Sequence, residues 1–372
     1  MWSFVLTVSL LCWGSEGTVT CRDNNNGAVD WYILYKAPAL QTLTGLEYLY
    51  IDSAGTVTPM KPSTPSYKSI KDPNGVLANT LQPLFTPIRS MLPSFGFVSY
   101  SDQPPGCSAS SEFGHSKGVL MVDRTGTGVW LVHSTPQFPF RRDQNQFWPD
   151  SGGKNAQTFI CVTFPYDQFR YIGKHLQYIG AFPFEHDIPG DFHQELRDAV
   201  NWVQSPPPNN WQQLTPSGGA AFYSIAKQQS AQPKVGDLYV TIAEAVSSDL
   251  DVQTWGCQHG RKPSYCVTGV HKVFNVKTIK TDLGEWEPKN DHSKWCVAKD
   301  QNKHWTCIAD VNRALTQYER RGGALCLSND KIHTIFQRIA GGTEECPTLN
   351  IMDVTDTDCE PDPDADMTSL MG

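Results

Sequence analysis

The sequence has no apolar run long enough to cross a bilayer, so no membrane-spanning helix is expected. Charged residues are also scarce, at 18%, whereas apolar residues make up 39% of the chain and aromatic residues 11%. This composition excludes disorder for most of the chain. A chain of 372 residues can bury a sizeable core and exceeds the usual size of one domain.

Two spacing patterns of metal ligands are missing as well. No Cys-x-x-Cys pair occurs, and no histidine pair at helical spacing lies beside a cysteine cluster. Of the 11 cysteines, only Cys12 lies in residues 1–17, which have the short apolar core and small residues of a signal peptide. The other cysteines predict a disulfide framework in an oxidising compartment. We therefore expect a soluble protein of the secretory pathway with no metal and no cofactor.

The net charge of −8 arises from one segment. Residues 351–372 contain seven of the 38 acidic residues and no Lys or Arg, and we predict a disordered tail there. Without residues 1–17 and this tail, the body has 30 acids, 30 bases and all ten histidines. Protonation near pH 5 would add up to about ten positive charges. That change suits an anionic partner in an acidic compartment, although exposed histidines would produce it in any protein.

Two stretches of the chain are nearly copies of each other. HSKGVLMVD occupies His115–Asp123 and HSKWCVAKD occupies His292–Asp300, so both begin with His-Ser-Lys and carry Asp in the ninth place. A single His-x-Lys most often marks an exposed polar strand. Two copies with the same flanking residues are much more specific and indicate a shared chemistry.

On a strand, residues i and i+2 point to the same face, so each histidine shares a face with its lysine, whereas Ser116 and Ser293 point the other way. A lysine neutralises the charge on phosphoryl oxygens, and a histidine supplies a nucleophile or a proton. Two facing units would let one histidine attack phosphorus while the other protonates the leaving oxygen. No metal is needed, because the lysines supply the positive charge.

The rest of the chain alternates between strand-like and helix-like segments. Helical spacing predicts helices in FHQELRDAVNWV, GAAFYSIAKQ and KIHTIFQRI, whereas LYVTIAEAV fits either state. Strands are predicted in VDWYILYKAP, FGFVSYSD, GVLMVD, GVWLVHS, FICVTFP, DVQTWGC, VFNVKTIK, HSKWCVAK and HWTCIADVNR. Because the repeated unit occurs once in each half, we predict an α/β fold (mixed α+β) of two pseudo-symmetric lobes. Their predicted bounds are 18–205 and 206–350.

The sequence motifs around the repeat resemble those of the deoxyribonuclease II family, which are acid endonucleases of the phospholipase D-like superfamily. The resemblance runs in order from Cys21 to about Pro347 and includes VDWYILYKAP, LQPL, SDQPP, GHSKGVLMVD, WLVHSTPQFP, QTFICVTFP, DHSKWCVA, WTCIADVNR and GGALC. It implies two phospholipase D-like lobes, each a sheet flanked by helices, with the active site between them. It also implies metal-independent hydrolysis of DNA at acid pH, leaving 3′-phosphate ends, by way of a phosphohistidine.

The family's catalytic residues correspond to His115, Lys117, His292 and Lys294, and we expect His115 to be the nucleophile. The resemblance also implies the disulfides Cys21–Cys161, Cys266–Cys346 and Cys307–Cys326, which leave Cys107, Cys257, Cys296 and Cys359 over. His133 and Asp310 each lie 18 residues after a repeat histidine. His133, Gln137 and Asn312 are expected to orient phosphate, with Lys36 as a further candidate for substrate contact.

DNA contacts are expected mainly at phosphates, with little sequence readout. RKPSY at 261–265 and ERRGG at 319–323 are small basic candidates for such contacts, but they also fit ordinary surface loops. The chain has no Asn-x-Ser/Thr sequon, so we expect either a lysosomal or a secreted protein, and a monomer, since both half-sites lie on one chain. Two alternatives remain: a secreted nucleic-acid-binding or toxin-like protein, and a phosphodiesterase acting on RNA or phospholipid.

Overall fold

The computed structural model describes residues 19–208 and 211–347. The predicted signal peptide and the predicted acidic tail therefore lie outside the described residues. Among the described helices, none combines the length and apolar character that a bilayer crossing needs.

The first large sheet has eight strands, and every neighbouring pair is antiparallel. Its spatial order is β8-β4-β5-β6-β7-β1-β2-β3. The strands are β1 Trp31–Lys36, β2 Tyr48–Asp52, β3 Val57–Met60, β4 Phe95–Ser101, β5 Lys117–Asp123, β6 Thr127–His133, β7 Gln157–Pro165 and β8 Pro183–Asp187.

The second large sheet has seven strands in the order β9-β10-β15-β14-β13-β11-β12. Only the edge pair of β11 and β12 is parallel within this sheet. The strands are β9 Gln212–Leu214, β10 Phe222–Ala226, β11 Leu250–Gln253, β12 Val273–Asn275, β13 Trp295–Ala298, β14 Trp305–Ala309 and β15 Gly323–Ser328.

The helices separate and cover the two sheets. Three of them, α2, α3 and α7, contribute to the core between the sheets, whereas α1 covers the outer face of the first sheet and α5 that of the second. The helices are α1 Val76–Leu81, α2 Phe169–Ile179, α3 Gln194–Val200, α4 Pro233–Gly236, α5 Leu238–Val246, α6 Leu315–Tyr318 and α7 Asp330–Ile339. Two-stranded ribbons pair Cys21–Arg22 with Ala28–Val29, Ala39–Leu40 with Leu43–Thr44, and Ile279–Thr281 with Gly284–Trp286.

Strand β1 has apolar side chains on both faces because it lies between two hydrophobic cores. Its alternate residues Trp31, Ile33 and Tyr35 enter the core between the sheets, and Tyr32 and Leu34 enter the outer core. A strand buried on both faces loses the alternation of apolar and polar residues that marks a half-buried strand. The sequence VDWYILYKAP is therefore almost continuously apolar.

The two-lobed α/β architecture is confirmed, and one predicted element is wrong. GAAFYSIAKQ was expected to be a helix, but Phe222–Ala226 forms β10 between β9 and β15. Its side chains Phe222 and Ile225 enter different cores, so its apolar spacing mimics a helix. Helix α2 was not anticipated from the sequence. LYVTIAEAV, which fitted either state, is α5.

The strands of the two sheets do not interleave along the chain. All strands of the first sheet lie within 31–187, and all strands of the second lie within 212–328. The repeated units stand at corresponding places, because β5 is flanked by β4 and β6 and β13 by β11 and β14. We refer to these two parts as the first and second lobes. The domain bounds of 18–205 and 206–350 remain predictions.

The structure contains the three disulfides that the resemblance implied, Cys21–Cys161, Cys266–Cys346 and Cys307–Cys326. Cys257 is disulfide-bonded as well. Cys107 is an exposed free thiol and Cys296 a buried one, whereas Cys359 lies outside the described residues. Burial raises the pKa of Cys296, which keeps this thiol protonated and unreactive.

The bond between Cys307 and Cys326 closes a short loop, because these residues face each other on β14 and β15 and are 19 positions apart. We predict that replacing both by alanine lowers the free energy of unfolding by about 3 kcal/mol, because the unfolded chain gains the entropy of that loop. Urea unfolding at pH 7 measures the change. Cys296→Ala on the adjacent strand is the matched control. A loss no larger in the double variant than in the control would contradict the prediction.

Candidate active site

The two His-Ser-Lys units lie at corresponding ends of central strands. Lys117 is the first residue of β5, and Lys294 directly precedes β13. The intervening serine points to the opposite face, as expected: the Ser293 hydroxyl donates to the Tyr35 hydroxyl at 3.0 Å in the core between the lobes. The histidines and lysines are therefore directed away from that core.

The ninth residue of each unit does not belong to the site. Asp123 accepts hydrogen bonds from the backbone and hydroxyl of Thr125, and Asp300 accepts one from the backbone of Asn302. Both aspartates therefore cap the turn that follows their strand. The repeated sequence therefore encodes two things: the His-x-Lys pair at the start of the strand and a capped turn after its end.

Each repeat histidine is held by the opposite lobe. The backbone N–H of His115 donates to the carbonyl of Arg321 at 2.9 Å, and that of His292 donates to the carbonyl of Ala156, also at 2.9 Å. Arg321 lies just before β15 and Ala156 just before β7, so the two contacts are pseudo-symmetric. The position of each imidazole thus depends on the docking of the lobes.

A buried carboxylate organises the first half-site. Asp102 follows β4, and its Oδ2 accepts a hydrogen bond from His115 Nδ1 at 2.6 Å while its Oδ1 accepts one from Lys117 Nζ at 2.6 Å. The guanidinium of Arg320 lies 3.1 Å from the same Oδ2, and the Asp102 side chain has no exposed surface. One carboxylate therefore contacts three basic groups.

Burial and charge have opposing effects on these groups. Burial alone would raise the pKa of Asp102, but His115, Lys117 and Arg320 outweigh it and hold that pKa well below its ordinary value. Burial lowers the pKa of His115 to about 4, and the nearby lysines add to the shift, while Asp102 opposes it. At pH 5 in the unliganded protein, His115 is therefore mainly neutral and Asp102 ionised.

The second half-site differs in composition. The strand register places Trp255 where the first lobe has Asp102, since Gln253 pairs with Trp295 and Ser101 with Lys117. The Trp255 ring lies 4.5 Å from the imidazole of His292, centroid to centroid. The pseudo-symmetric scaffold thus supports two chemically different histidines.

Lys294 and Asp310 are the other buried ionisable groups here. The Lys294 ammonium donates to the His292 carbonyl at 2.8 Å, and burial together with Lys117 lowers the pKa of Lys294 to about 7. Burial raises the pKa of Asp310 to about 7, although this carboxylate accepts a hydrogen bond from the backbone of Gly323 at 2.9 Å. Near neutral pH, small pH changes therefore alter the charge of the site.

The three residues expected to orient phosphate, His133, Gln137 and Asn312, lie in different surroundings. Extending the β5–β6 register places His133 beside Lys117, and burial together with that lysine keeps the pKa of His133 well below its ordinary value. Asn312 accepts a hydrogen bond from the Trp255 backbone at 3.1 Å and donates to Gln258 at 2.9 Å, so it supports the second half-site. Gln137 is half-buried with a positive φ of 57°.

Lys36 has a different environment. It has no exposed surface, and its ammonium donates to the carbonyls of Ala37, Gly45 and Gly153 at 2.8, 2.9 and 3.2 Å. All three donors are engaged, so Lys36 has none to offer a phosphate. Its position indicates a role in holding loops together, and we do not propose it for substrate contact.

The shared spacing of 18 residues suggests that Asp310 is the counterpart of His133, but the strand register does not place them at equivalent positions. Ala309, not Asp310, lies opposite Lys294, because the Ala309 N–H donates to the Lys294 carbonyl at 2.8 Å. Asp310 is therefore not the structural counterpart of His133. The one-residue shift moves the side chain to the other face of the strand.

Sequence reasoning assigned no role to Asp102 or Trp255 and treated Arg320 as part of a basic loop. Asp102 stands in SDQPP, one of the motifs that carry the family resemblance, and Arg320 stands in ERRGG, a basic candidate for phosphate contacts. No local spacing rule connects these positions to the repeat histidines, because strand pairing within each lobe brings Asp102 to His115 and Trp255 to His292, and contact between the lobes brings Arg320 to Asp102. Within 19–208 and 211–347, no group of three or more His, Cys, Asp or Glu residues is arranged to hold a metal ion.

Comparison with known proteins adds independent information. A family model described as Deoxyribonuclease II matches residues 20–346. Deoxyribonuclease-2-alpha of Sus scrofa is 35% identical, with 93% of this chain and 95% of that protein covered. Plancitoxin-1 of Acanthaster planci is 34% identical, with 92% and 96% covered. The solved yeast tyrosyl-DNA phosphodiesterase matches at a TM-score of 0.29 and 8% identity over 60% of this chain and 69% of that chain, which is too weak to support an argument.

We predict that Asp102→Asn lowers the free energy of unfolding by about 3–5 kcal/mol at pH 7, because buried basic groups lose their compensating charge. Chemical unfolding monitored by tryptophan fluorescence measures the change. Asp300→Asn is the matched control, since Asp300 is exposed, and it should change stability by less than about 0.5 kcal/mol. Equal effects of the two substitutions would show that Asp102 does not compensate the cluster.

Proposed function

Since the chain belongs to the deoxyribonuclease II family and is a DNA-hydrolysing nuclease, we propose that it is an acid endonuclease that needs no metal and leaves 3′-phosphate ends. The two His-Ser-Lys units carry this proposal. The charge of Lys294 acts on both His115 and Lys117, Arg320 and Lys117 both contact Asp102, and His292 lies two residues before Lys294, which supports a shared site for both units. This set of groups can bind a phosphodiester, attack it and protonate its leaving group.

The difference between the half-sites supports separate roles for the histidines. Asp102 accepts a hydrogen bond from the Nδ1–H of His115, which leaves Nε2 as the unprotonated nitrogen available to a substrate. A neutral imidazole oriented by a carboxylate is suited to nucleophilic attack. His292, which packs against Trp255, is then the proton donor. We therefore propose His115 as the nucleophile.

The reaction proceeds in two displacements. Nε2 of His115 attacks phosphorus, the bond from phosphorus to the 5′ oxygen breaks, and that oxygen takes the proton of His292. Water then gives a proton to neutral His292 and attacks phosphorus, which breaks the phosphorus–nitrogen bond. The product keeps a 3′-phosphate and His115 is restored. Lys117 and Lys294 neutralise the phosphoryl oxygens in both steps.

The acid optimum follows from the ionisation states of the site. Attack needs neutral His115, which the free protein has above its pKa of about 4. Phosphate binding needs charged Lys294, which is fully charged only below its pKa of about 7. These two requirements overlap between the two pKa values, and His292 must be protonated in the same window to supply the proton of the leaving group. Bound phosphate favours the charged form of both groups, which raises both pKa values and moves the window for the complex to higher pH.

The partner in this proposal is DNA, bound mainly through its phosphates. Arg320 is held by Asp102 beside His115 and is well placed to contact a phosphate once substrate enters. We further propose that the protein acts as a monomer in the lysosome or after secretion. His133, Gln137 and Asn312 remain proposed neighbours of the substrate phosphates.

The first test is cleavage of plasmid DNA at pH 5 in excess EDTA. We expect nicking and linearisation by the unmodified protein, and products that terminal transferase extends only after phosphatase treatment, because a 3′-phosphate blocks extension. His115→Ala and His292→Ala should each lower the rate at least about a hundredfold, because each removes a group used in both steps.

His186→Ala is the control for this test, because His186 is exposed on edge strand β8. Its rate should equal that of the unmodified protein. Absence of cleavage by the unmodified protein would refute the metal-independent nuclease. Undiminished cleavage by either site variant would refute the two-histidine mechanism, and cleavage of RNA or phospholipid in place of DNA would support the alternative phosphodiesterase.

The second test is the pH dependence of kcat/KM. We predict a bell-shaped profile whose limbs reflect His115, with a pKa of about 4, and Lys294, with a pKa of about 7. Lys294→Arg should move the alkaline limb to higher pH, because arginine stays charged there. Initial rates on a labelled oligonucleotide from about pH 3 to about pH 9 give the profile.

Asp310→Asn is the companion variant, because Asp310 also has a pKa of about 7. If Lys294 controls the alkaline limb, this limb should persist in Asp310→Asn. An alkaline limb that is unmoved in Lys294→Arg but absent in Asp310→Asn would assign it to the carboxyl group and exclude the proposed role of Lys294.

A further inference from the structure

Cys257 is disulfide-bonded, but no cysteine within 19–208 or 211–347 is its partner. The sequence contains 11 cysteines. In those two ranges, every other cysteine either belongs to one of the three disulfides described above or is a free thiol. Cys12 and Cys359 remain, and Cys12 lies in the predicted signal peptide, a kind of segment that is removed from the mature chain. Cys359 is therefore the candidate partner.

The end of the second described range lies close enough to Cys257 for this bond. Nη2 of Arg261 is 2.6 Å from Oε1 of Glu344, and the backbone N–H of Arg261 donates to the carbonyl of Gln258 at 3.0 Å. Glu344 is therefore held near the turn that directly follows Cys257. Cys359 comes 15 positions after Glu344. A chain of that length spans up to about 50 Å when extended, which is ample for the connection.

Cys257 is half-buried and lies in the loop that supports the second half-site. Trp255, two residues earlier, packs its ring 4.5 Å from the imidazole of His292, centroid to centroid. Gln258, directly after Cys257, accepts a hydrogen bond from Asn312 at 2.9 Å, and Asn312 accepts one from the backbone of Trp255 at 3.1 Å. The loop is thus fixed to the half-site on both sides of Cys257. A segment bonded to this sulfur is held beside His292.

The sequence around Cys359 has the charge that this site attracts. Residues 351–372 contain seven acids and no Lys or Arg, and Asp358 and Glu360 directly flank Cys359. At pH 5 the site has an excess of positive charge, because two lysines and a guanidinium outnumber the ionised Asp102. Carboxylates and phosphates bind ammonium and guanidinium groups in the same way. The acidic segment and DNA are therefore alternative occupants of one set of cations.

We propose that Cys257 and Cys359 form a disulfide that holds the acidic segment 351–372 at the second half-site, where it competes with DNA phosphates. The inference rests on the proposed binding of DNA at this site and adds an internal competitor to it. A tethered segment has an effective concentration in the millimolar range, so weak contacts suffice for competition. Formation of the bond joins the two sulfur atoms and removes two electrons and two protons from the thiols. A disulfide of the oxidising secretory compartment accepts both and becomes a dithiol.

Peptide mapping by mass spectrometry under non-reducing conditions tests the bond. Thiols of the mature protein are alkylated in denaturant before digestion with trypsin and a protease that cuts before Asp, because Asp353 lies between Cys346 and Cys359. We expect a linked pair of peptides that contain Cys257 and Cys359, with alkylation confined to the two free thiols. Alkylated Cys359, or Cys257 linked to any other cysteine, would overturn the inference.

Equilibrium binding tests the competition. Every protein compared carries His115→Ala, so that a labelled DNA duplex stays intact, and fluorescence anisotropy at pH 5 in EDTA gives Kd. Cys359→Ser should lower Kd roughly three- to tenfold, because a segment attached at one end only is less concentrated at the site. Asp358→Asn combined with Glu360→Gln keeps the bond but removes two charges, so Kd should fall here too. Cys107→Ser is the matched control, because Cys107 is an exposed free thiol, and it should leave Kd unchanged.

The possible results separate the tether, the competition and the proposed function. An unchanged Kd in Cys359→Ser would exclude competition even where the bond is present. A lower Kd in Cys359→Ser without any change in the charge variant would show that the segment blocks DNA by its bulk, which would overturn the role of its carboxylates. If none of the proteins binds DNA, the proposed function fails. If DNA is bound but the unmodified protein does not cleave it, the nuclease is refuted while the competition stands.

Discussion

The burial of Asp102 against His115, Lys117 and Arg320 is the interaction on which the active site depends. A lone carboxylate or ammonium group could not remain ionised in this environment, because desolvation would favour its neutral form. Its basic neighbours keep Asp102 ionised although this carboxylate has no exposed surface, whereas His115 is mainly neutral above its pKa of about 4. The same contact orients the imidazole of His115. Asp102 therefore compensates the buried basic groups and orients the imidazole of His115 at the same time.

This interaction also breaks the symmetry of the molecule. The central strands have the same arrangement in both lobes. In each lobe a backbone carbonyl accepts a hydrogen bond from the backbone N–H of the other lobe's repeat histidine. The place of Asp102 in the first lobe is occupied by Trp255 in the second. A carboxylate raises the basicity of the imidazole it contacts, whereas an indole does not. A duplicated scaffold thus holds two histidines in chemically different surroundings, as the proposed division into nucleophile and acid requires.

Local sequence patterns predicted most strands because their apolar residues face the two cores in alternation. They failed at β10, because Phe222 and Ile225 are three positions apart, which matches helical spacing although these side chains enter different cores. They also overstated Lys36, whose charge is satisfied by three carbonyls from separate segments. The sequence does not distinguish a strand lysine that binds phosphate from one that holds loops together. Only its surroundings distinguish these uses.

The sequence by itself determined that His115, Lys117, His292 and Lys294 form two equivalent units, because strand geometry places i and i+2 on one face. It also contained the disulfide pairs and the two-lobed plan, through resemblance to a family. The tertiary structure alone decided which histidine has a carboxylate, how far the pKa values of His115 and Lys294 fall, and what lies beside the site. These properties depend on desolvation and on distances between residues far apart in the chain, which no local pattern records.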